Sequence, residues 1–62
     1  MREEIIRVIE EHNVGGTLFQ IVETKYEYGS HYVLLMNGES GFHSTDIERV
    51  QKYMNSMIKM FE

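Results

Sequence analysis

The dipeptide Asn37-Gly38 is the sequence feature that most constrains the fold. It lies between the apolar stretch "HYVLLM" and the short stretch "ESGFH". A two-residue type I′ turn needs positive φ at both central residues, and asparagine followed by glycine adopts that conformation readily. The sequence therefore predicts two antiparallel strands, residues 31–36 and 39–43, joined by a tight hairpin.

Two further elements precede this hairpin. Residues 17–27, "TLFQIVETKYE", are rich in β-branched and aromatic side chains and predict a strand, and residues 28–30 supply a glycine-containing turn. Residues 2–12, "REEIIRVIEEH", predict a helix that the following "NVGG" ends with a left-handed residue. The residues that recur at helical spacing in this segment are Ile5, Val8, Ile9 and His12.

A last helix follows the hairpin, over residues 44–62. Thr45 followed by Glu48 fits a capping box, with Ser44 as the alternative cap. The chain is thus predicted to be one α+β domain over residues 1–62, in the order helix, three-stranded antiparallel sheet, helix. Because short loops join both helices to the sheet, we expect both helices on one sheet face.

The register of the hairpin assigns side chains to the two faces of the predicted sheet. With a regular ladder, Val33 faces Phe42 and Tyr32 faces His43, and successive side chains alternate between the faces. A single bulge would exchange part of these sets. One face is expected to form the core beneath the helices: Leu18, Val22, Val33, Leu35 and Phe42. The other face is expected to stay exposed and to bind a protein partner: Phe19, Ile21, Tyr32, Leu34 and Met36.

The last helix extends this predicted partner surface. Its apolar residues cover an arc of roughly 160°, which is wider than one core-facing stripe needs. Tyr53, Met57 and Met60 lie on its flank and are predicted to contact a partner, with gap-filling in the core as the alternative. A chain of 62 residues without cysteine has a small core and no disulfide. We therefore predict self-association, as a homodimer, or a protein partner.

Charge and hydropathy disfavour several functions and locations. Six lysine and arginine residues oppose ten acidic residues, for a net charge of −4. The cations are scattered and form no basic stripe, which argues against nucleic-acid binding. No apolar stretch is long enough to span a membrane, and the charged start "MREEIIRVIEEH" lacks the apolar region of a signal peptide. We expect a cytoplasmic protein.

No arrangement of reactive side chains predicts chemistry. His12, His31 and His43 do not follow a metal-ligand spacing, and the expected register places the last two on opposite faces of the sheet. Ser30, His31 and Asp46 include the residue types of a nucleophilic triad, but no spacing brings them together. Phosphate-binding glycine motifs are also missing. The sequence predicts no catalytic residue, no metal site and no cofactor.

These features predict a small, non-enzymatic protein-interaction module. Small, acidic, cysteine-free chains without catalytic residues resemble proteins that bacteriophages and other mobile elements encode. That similarity implies an inhibitor or regulator of a host enzyme or defence system. Such a role needs only a complementary surface of standard size, about 800 Å² on each partner.

The tripeptide Gly29-Ser30-His31, with His43 shortly before the last helix, carries one further resemblance. It resembles the signature of HicA-type toxins, which cleave mRNA. The predicted order of helix, three strands and helix is similar to that of these toxins and of double-stranded-RNA-binding domains. The resemblance implies an alternative function, in which the chain is a ribonuclease and His31 is its catalytic residue.

Overall fold

The computed structural model describes residues 4–26 and 29–61. Across these residues the chain forms a four-stranded antiparallel sheet followed by one helix. The strands lie side by side in chain order, β1-β2-β3-β4, so every connection in the sheet is between neighbours. The elements are β1 Glu4–Val14, β2 Thr17–Tyr26, β3 Gly29–Met36, β4 Glu39–Ser44 and α1 Ile47–Phe61.

The predicted first helix is wrong, and so is the predicted layout of three strands between two helices on one face. The segment forms β1, the longest strand, and it pairs with β2 along its length. Residues 2 and 3 of the predicted helix lie outside the described residues. The fold is an α+β arrangement in which a single described helix packs on a four-stranded sheet.

Two bulges explain why β1 has the sequence pattern of a helix. Its pairing with β2 shifts between Ile5 and Arg7 and again between Val8 and Glu10. Each bulge adds one residue to the strand, so that Ile5, Val8 and Glu11 point to the same face although they are three residues apart. Same-face residues in a regular strand are two apart. The added residues therefore imitate helical spacing.

Tight turns join β1 to β2 and β3 to β4. Gly15 and Gly16 both have positive φ, 58° and 83°, where the sequence predicted the end of a helix. Asn37 and Gly38 have φ of 53° and 85°, which confirms the predicted hairpin at this dipeptide. Both connections leave two residues between paired strands, which is the spacing that type I′ turns require.

The predicted turn at residues 28–30 is only partly described. Residues 27 and 28 lie outside the described residues, whereas Gly29 and Ser30 already belong to β3. Gly29 pairs with Tyr26 and Ser30 pairs with Lys25, so the β2–β3 ladder continues to the end of the described strands.

A bulge at Gly41 changes the register that the sequence predicted for β4. The pairing shifts by one residue there, so Phe42 faces Leu34 and not Val33. A Cβ atom at position 41 would collide with the side-chain methyl of Met36, so glycine leaves room for that methionine. The shift also places His43 opposite Val33, whereas a regular ladder would place it opposite Tyr32.

Helix α1 packs on the face that was expected to stay exposed. Phe19, Ile21 and Leu34 are fully buried there against Val50 and Met54 of the helix. The predicted assignment of the core to the other face is therefore wrong. Phe42, which the Gly41 bulge turns to this side, stacks on the helix residue Tyr53. The partly buried residues packed against this core are Val14, Tyr32, Met36, Phe42, Met57 and Ile58.

The start of α1 is capped by Asp46, not by the predicted Thr45 or Ser44. The Glu48 backbone N–H donates a hydrogen bond of 3.0 Å to the Asp46 carboxylate, as an N-cap does. The Ser44 hydroxyl accepts a bond from the Asp46 N–H at 3.1 Å and supports the cap. No helix in the described ranges is both long and apolar enough to cross a lipid bilayer.

Candidate functional site: the open sheet face

The side of the sheet that α1 does not cover is the candidate functional site, and we call it the open face. Residues opposite each other on antiparallel strands point to the same side, so the register defines this face. Its apolar members are Ile5, Val8, Leu18, Val22, Val33 and Leu35. Its polar members are Glu11, Asn13, Gln20, Thr24, Ser40, His31 and His43.

The open face has a buried floor and an exposed side. Val22 is 2% exposed and Val33 is 9% exposed, at the middle of the two central strands. Ile5 and Val8 on the edge strand β1 are 61% and 48% exposed. A concavity of about 230 Å³ lies over the floor, between Ile5 on one side and the two histidines on the other. The face therefore presents apolar side chains around a shallow depression.

Two histidines form a direct contact at the edge of this depression. His43 Nδ1 lies 3.0 Å from His31 Nε2, and the two rings meet edge to face with centroids 4.8 Å apart. One ring donates an N–H and the other accepts it. Because the contact joins an Nδ1 to an Nε2, two neutral rings in this hydrogen bond have the same tautomer, both Nδ1–H or both Nε2–H. The predicted placement of these histidines on opposite faces is wrong, because the bulge at Gly41 turns His43 to the side of His31.

The open face carries little charge. Apart from the histidines, its one ionisable side chain among the described residues is Glu11, which accepts a hydrogen bond of 3.0 Å from the Gln20 amide. The other described charged residues of the strands point to the opposite side of the sheet: Arg7, Glu10, Glu23, Lys25 and Glu39. The face therefore combines apolar and uncharged polar side chains, and the depletion of charge is typical of an interface core.

The opposite side of the sheet holds a small polar cluster around Glu23. The Arg7 Nε donates to Glu23 Oε1 at 2.7 Å. This hydrogen bond, with a second one from Ser30, lowers the pKa of Glu23 below its ordinary value of 4.5. Desolvation of the carboxyl opposes the shift without cancelling it. The cluster links β1, β2 and β3 on the side of the sheet away from the depression.

The residues predicted to bind a partner from the sheet do not form a surface. Phe19, Ile21 and Leu34 are in the core, and Tyr32 and Met36 are partly buried beside them. The first three would be accessible only if α1 left the sheet. An uncovered apolar face does exist, and it contains four of the five residues that were assigned to the core: Leu18, Val22, Val33 and Leu35. The fifth, Phe42, lies on the helix side.

The predicted partner residues of the helix divide into two kinds. Tyr53 stacks on Phe42 with ring centroids 4.4 Å apart and planes 3° from parallel, and Met57 packs against the core. Met60 is 78% exposed. Of the three, Met60 is the residue whose side chain faces solvent to a large extent.

The residues of the possible nucleophilic triad are separated. Ser30 pairs with Lys25 and hydrogen-bonds to Glu23 on the helix side, whereas His31 belongs to the open face. Sequence reasoning missed the contact between His31 and His43. The signal that could have revealed it is Gly41, because a glycine inside a strand pattern indicates a bulge.

In the part of the chain that the structure describes, no group of three or more histidine, cysteine or acidic side chains is placed to hold a metal ion. Comparison with models of protein families, with curated proteins and with solved structures finds no match to this chain.

Proposed function

We propose that this chain is a small, non-enzymatic protein-interaction module that works in the cytoplasm and forms a homodimer through the open face. The observation that carries the proposal is an apolar sheet face that no described helix covers. Its edge residues Ile5 and Val8 remain about half exposed or more in the single chain. Sheets whose two faces are both apolar are usually covered on both sides.

The size of the open face fits a small dimer interface. Four strands about 4.8 Å apart and eight residues long, at about 3.3 Å per residue, make a face of roughly 19 by 26 Å. That corresponds to roughly 500 Å² on each copy, or about 1,000 Å² in total. Specific interfaces begin at about this size, and the standard size is about 1,600 Å². We therefore expect a dimer that dissociates on dilution.

The charge distribution favours a second copy of the chain as the occupant. With ten acidic and six basic residues, two copies repel each other over most of their surfaces. On the open face the repulsion is smallest, because the described acids of the strands other than Glu11 lie on the other side. A two-fold axis would pair the face with itself and produce two sheets packed about 10 Å apart, with the helices outside.

Size-exclusion chromatography with light scattering tests the proposal, using Val8→Glu and Met60→Glu. Both side chains are exposed in the single chain, so neither substitution removes a core contact. We expect a dimer for the unmodified chain and for Met60→Glu, and a monomer for Val8→Glu. A monomeric unmodified chain at high concentration would refute the proposal. Dissociation caused by Met60→Glu alone would place the interface on the helix flank instead.

The ribonuclease reading remains the alternative hypothesis, and it has a separate test. In the structure the ring nitrogens of His31 and His43 lie 3.0 Å apart, which leaves no space for a phosphate group between them. We expect no cleavage when the purified chain is incubated with mRNA. Cleavage that His31→Ala abolishes and His12→Ala preserves would establish the alternative.

A further inference from the structure

We propose that His31 and His43 form a binding site for a transition-metal dication of the Zn²⁺ class. The inference concerns the single chain, in which the open face is uncovered, and it does not require the homodimer. No metal site was predicted from the sequence, because a regular β4 would place the two rings on opposite faces. The bulge at Gly41 brings them together on the open face.

The distance between the two ring nitrogens fits an ion held by both. Zinc binds imidazole nitrogens at about 2.0–2.1 Å in tetrahedral geometry, which places two nitrogen ligands roughly 3.3 Å apart. His43 Nδ1 and His31 Nε2 are 3.0 Å apart in the structure. Opening this contact by a few tenths of an ångström would bring the two nitrogens to that separation. Both rings would also have to rotate, so that each lone pair points to the ion and no longer to the other ring.

The proton between the rings does not block the site. In the hydrogen bond one of the two facing nitrogens carries a hydrogen and the other accepts it. If that ring changes to its other neutral tautomer, its hydrogen moves to the outer nitrogen. Both facing nitrogens then present a lone pair to the ion, and each ring keeps one N–H. The exchange conserves protons and leaves both histidines neutral, as metal binding requires.

The surroundings of the pair favour a cation. No described lysine or arginine lies on the open face, so no fixed positive charge opposes the ion. The acidic balance of the whole chain attracts dications to its surface. The depression beside the rings is open and has room for the water molecules that complete the coordination. Ser40 and Thr24 border this space together with the histidines.

The donor set determines which ions bind. Two imidazoles suit Zn²⁺, Ni²⁺ and Cu²⁺, whereas Mg²⁺ and Ca²⁺ prefer oxygen ligands. Because no third histidine, cysteine or acidic side chain joins the pair within residues 4–26 and 29–61, water fills the remaining positions. The bound ion is therefore exchangeable and keeps positions open to a further ligand, which is a property of catalytic rather than structural zinc sites.

Isothermal titration of the full chain with ZnCl₂ tests the site. We expect one Zn²⁺ per chain, and no binding of Mg²⁺ under the same conditions. Loss of an outer-shell partner already lowers metal affinity by about 10–100-fold, so His31→Ala and His43→Ala should each weaken binding at least about tenfold. His12→Ala is the matched control, because His12 lies on the other side of the sheet beside Glu10. This variant should bind Zn²⁺ as the unmodified chain does.

Histidine ring resonances in the unmodified chain provide a second measurement that does not depend on the variants folding. Zinc should shift the ring signals of His31 and His43 and move the proton of one ring to its outer nitrogen. The His12 signals should stay unchanged. Three results would each overturn the single-chain site. They are a chain that does not bind Zn²⁺, binding that only His12→Ala removes, and a stoichiometry of one ion for two chains. The first two results would not bear on the oligomeric state, which light scattering measures separately.

Discussion

The two faces of the sheet have similar numbers of apolar side chains, but α1 covers only one of them. On the helix side Phe19, Ile21 and Leu34 are completely buried by α1. On the open face Val22 is nearly as buried, yet no described helix lies on it, and Ile5 at its edge is mostly exposed. Burial on the helix side comes from packing within the chain. Burial on the open face comes from the neighbouring strands alone.

This difference indicates that the two faces have different roles, one in folding and the other in binding. The helix side supplies the packing that a 62-residue chain needs to fold, and substitutions there act on stability. The open face adds apolar surface that the described part of the chain leaves in contact with water, and substitutions there should act on association. Neighbouring residues in a strand point to opposite faces, so the two roles can be compared at adjacent positions.

The largest difference is expected between Leu34→Ala and Leu35→Ala. Leu34 is fully buried beneath α1, and truncation of such a leucine costs about 2–5 kcal/mol. A domain of this size has about 3–5 kcal/mol in total, so Leu34→Ala should be largely unfolded. Leu35 lies half-buried on the open face, and its truncation should cost about 1 kcal/mol. Urea denaturation followed by circular dichroism measures both.

The Leu35→Ala measurement also depends on protein concentration. If the chain dimerises through the open face, dimerisation stabilises the folded state more at higher protein concentration. The loss of unfolding free energy caused by Leu35→Ala should then also increase with protein concentration. If both substitutions lowered the free energy of unfolding equally, packing of α1 on one face only would be contradicted.

A smaller difference is expected between Phe42→Ala and His43→Ala, which the Gly41 bulge places on opposite sides. Phe42 is partly buried and stacks on Tyr53, so its truncation should cost about 2 kcal/mol. His43 is exposed, and its truncation should change the free energy of unfolding by about 0.5 kcal/mol or less. The same denaturation experiment compares them. A larger loss for His43→Ala would contradict the register of β4.

Deletion of Gly41 tests whether the bulge, and nothing else, sets that register. Without the extra residue a regular ladder already places Phe42 opposite Leu34, which is the pair that the bulge produces in the intact chain. We expect the shortened chain to fold with a loss of about 1 kcal/mol or less. Nuclear Overhauser contacts between Phe42 and Tyr53 should persist. Their disappearance in a folded chain would mean that another constraint holds Phe42.

The smallest expected effect concerns the pH dependence of stability at Glu23. Because its pKa is lowered in the folded chain, the stabilisation is complete above the ordinary value and is lost as the pH falls through the folded value. On acidification the unmodified chain should therefore lose more stability than Glu23→Gln. Glu39→Gln, at an exposed position, is the control and should follow the unmodified chain. If the free energy of unfolding depended on pH in the same way for the unmodified chain and Glu23→Gln, the lowering of the Glu23 pKa by Arg7 would be contradicted.

The sequence predicted the elements whose signals are local. Asn37-Gly38 identifies its hairpin because two positive φ angles leave few alternatives, and the apolar spacing of the last segment identifies α1. A bulge differs from these local signals, because it shifts the pairing register of every later residue in its strand by one. Those in β1 produced a helix-like spacing, and that at Gly41 exchanged the faces of Phe42 and His43. The candidate site was missed for that reason, because Gly41 indicates a possible bulge without giving its effect on the register.

The two bulges of β1 have a consequence for how copies of this chain can meet. β1 is an edge strand whose outer backbone groups face away from β2, and such an edge invites added strands and the growth of fibres. A strand that docked there would lose its alignment wherever an extra residue interrupts the repeat. Polymerisation along the sheet is thereby discouraged, and contact between flat surfaces is left as the route to a closed assembly.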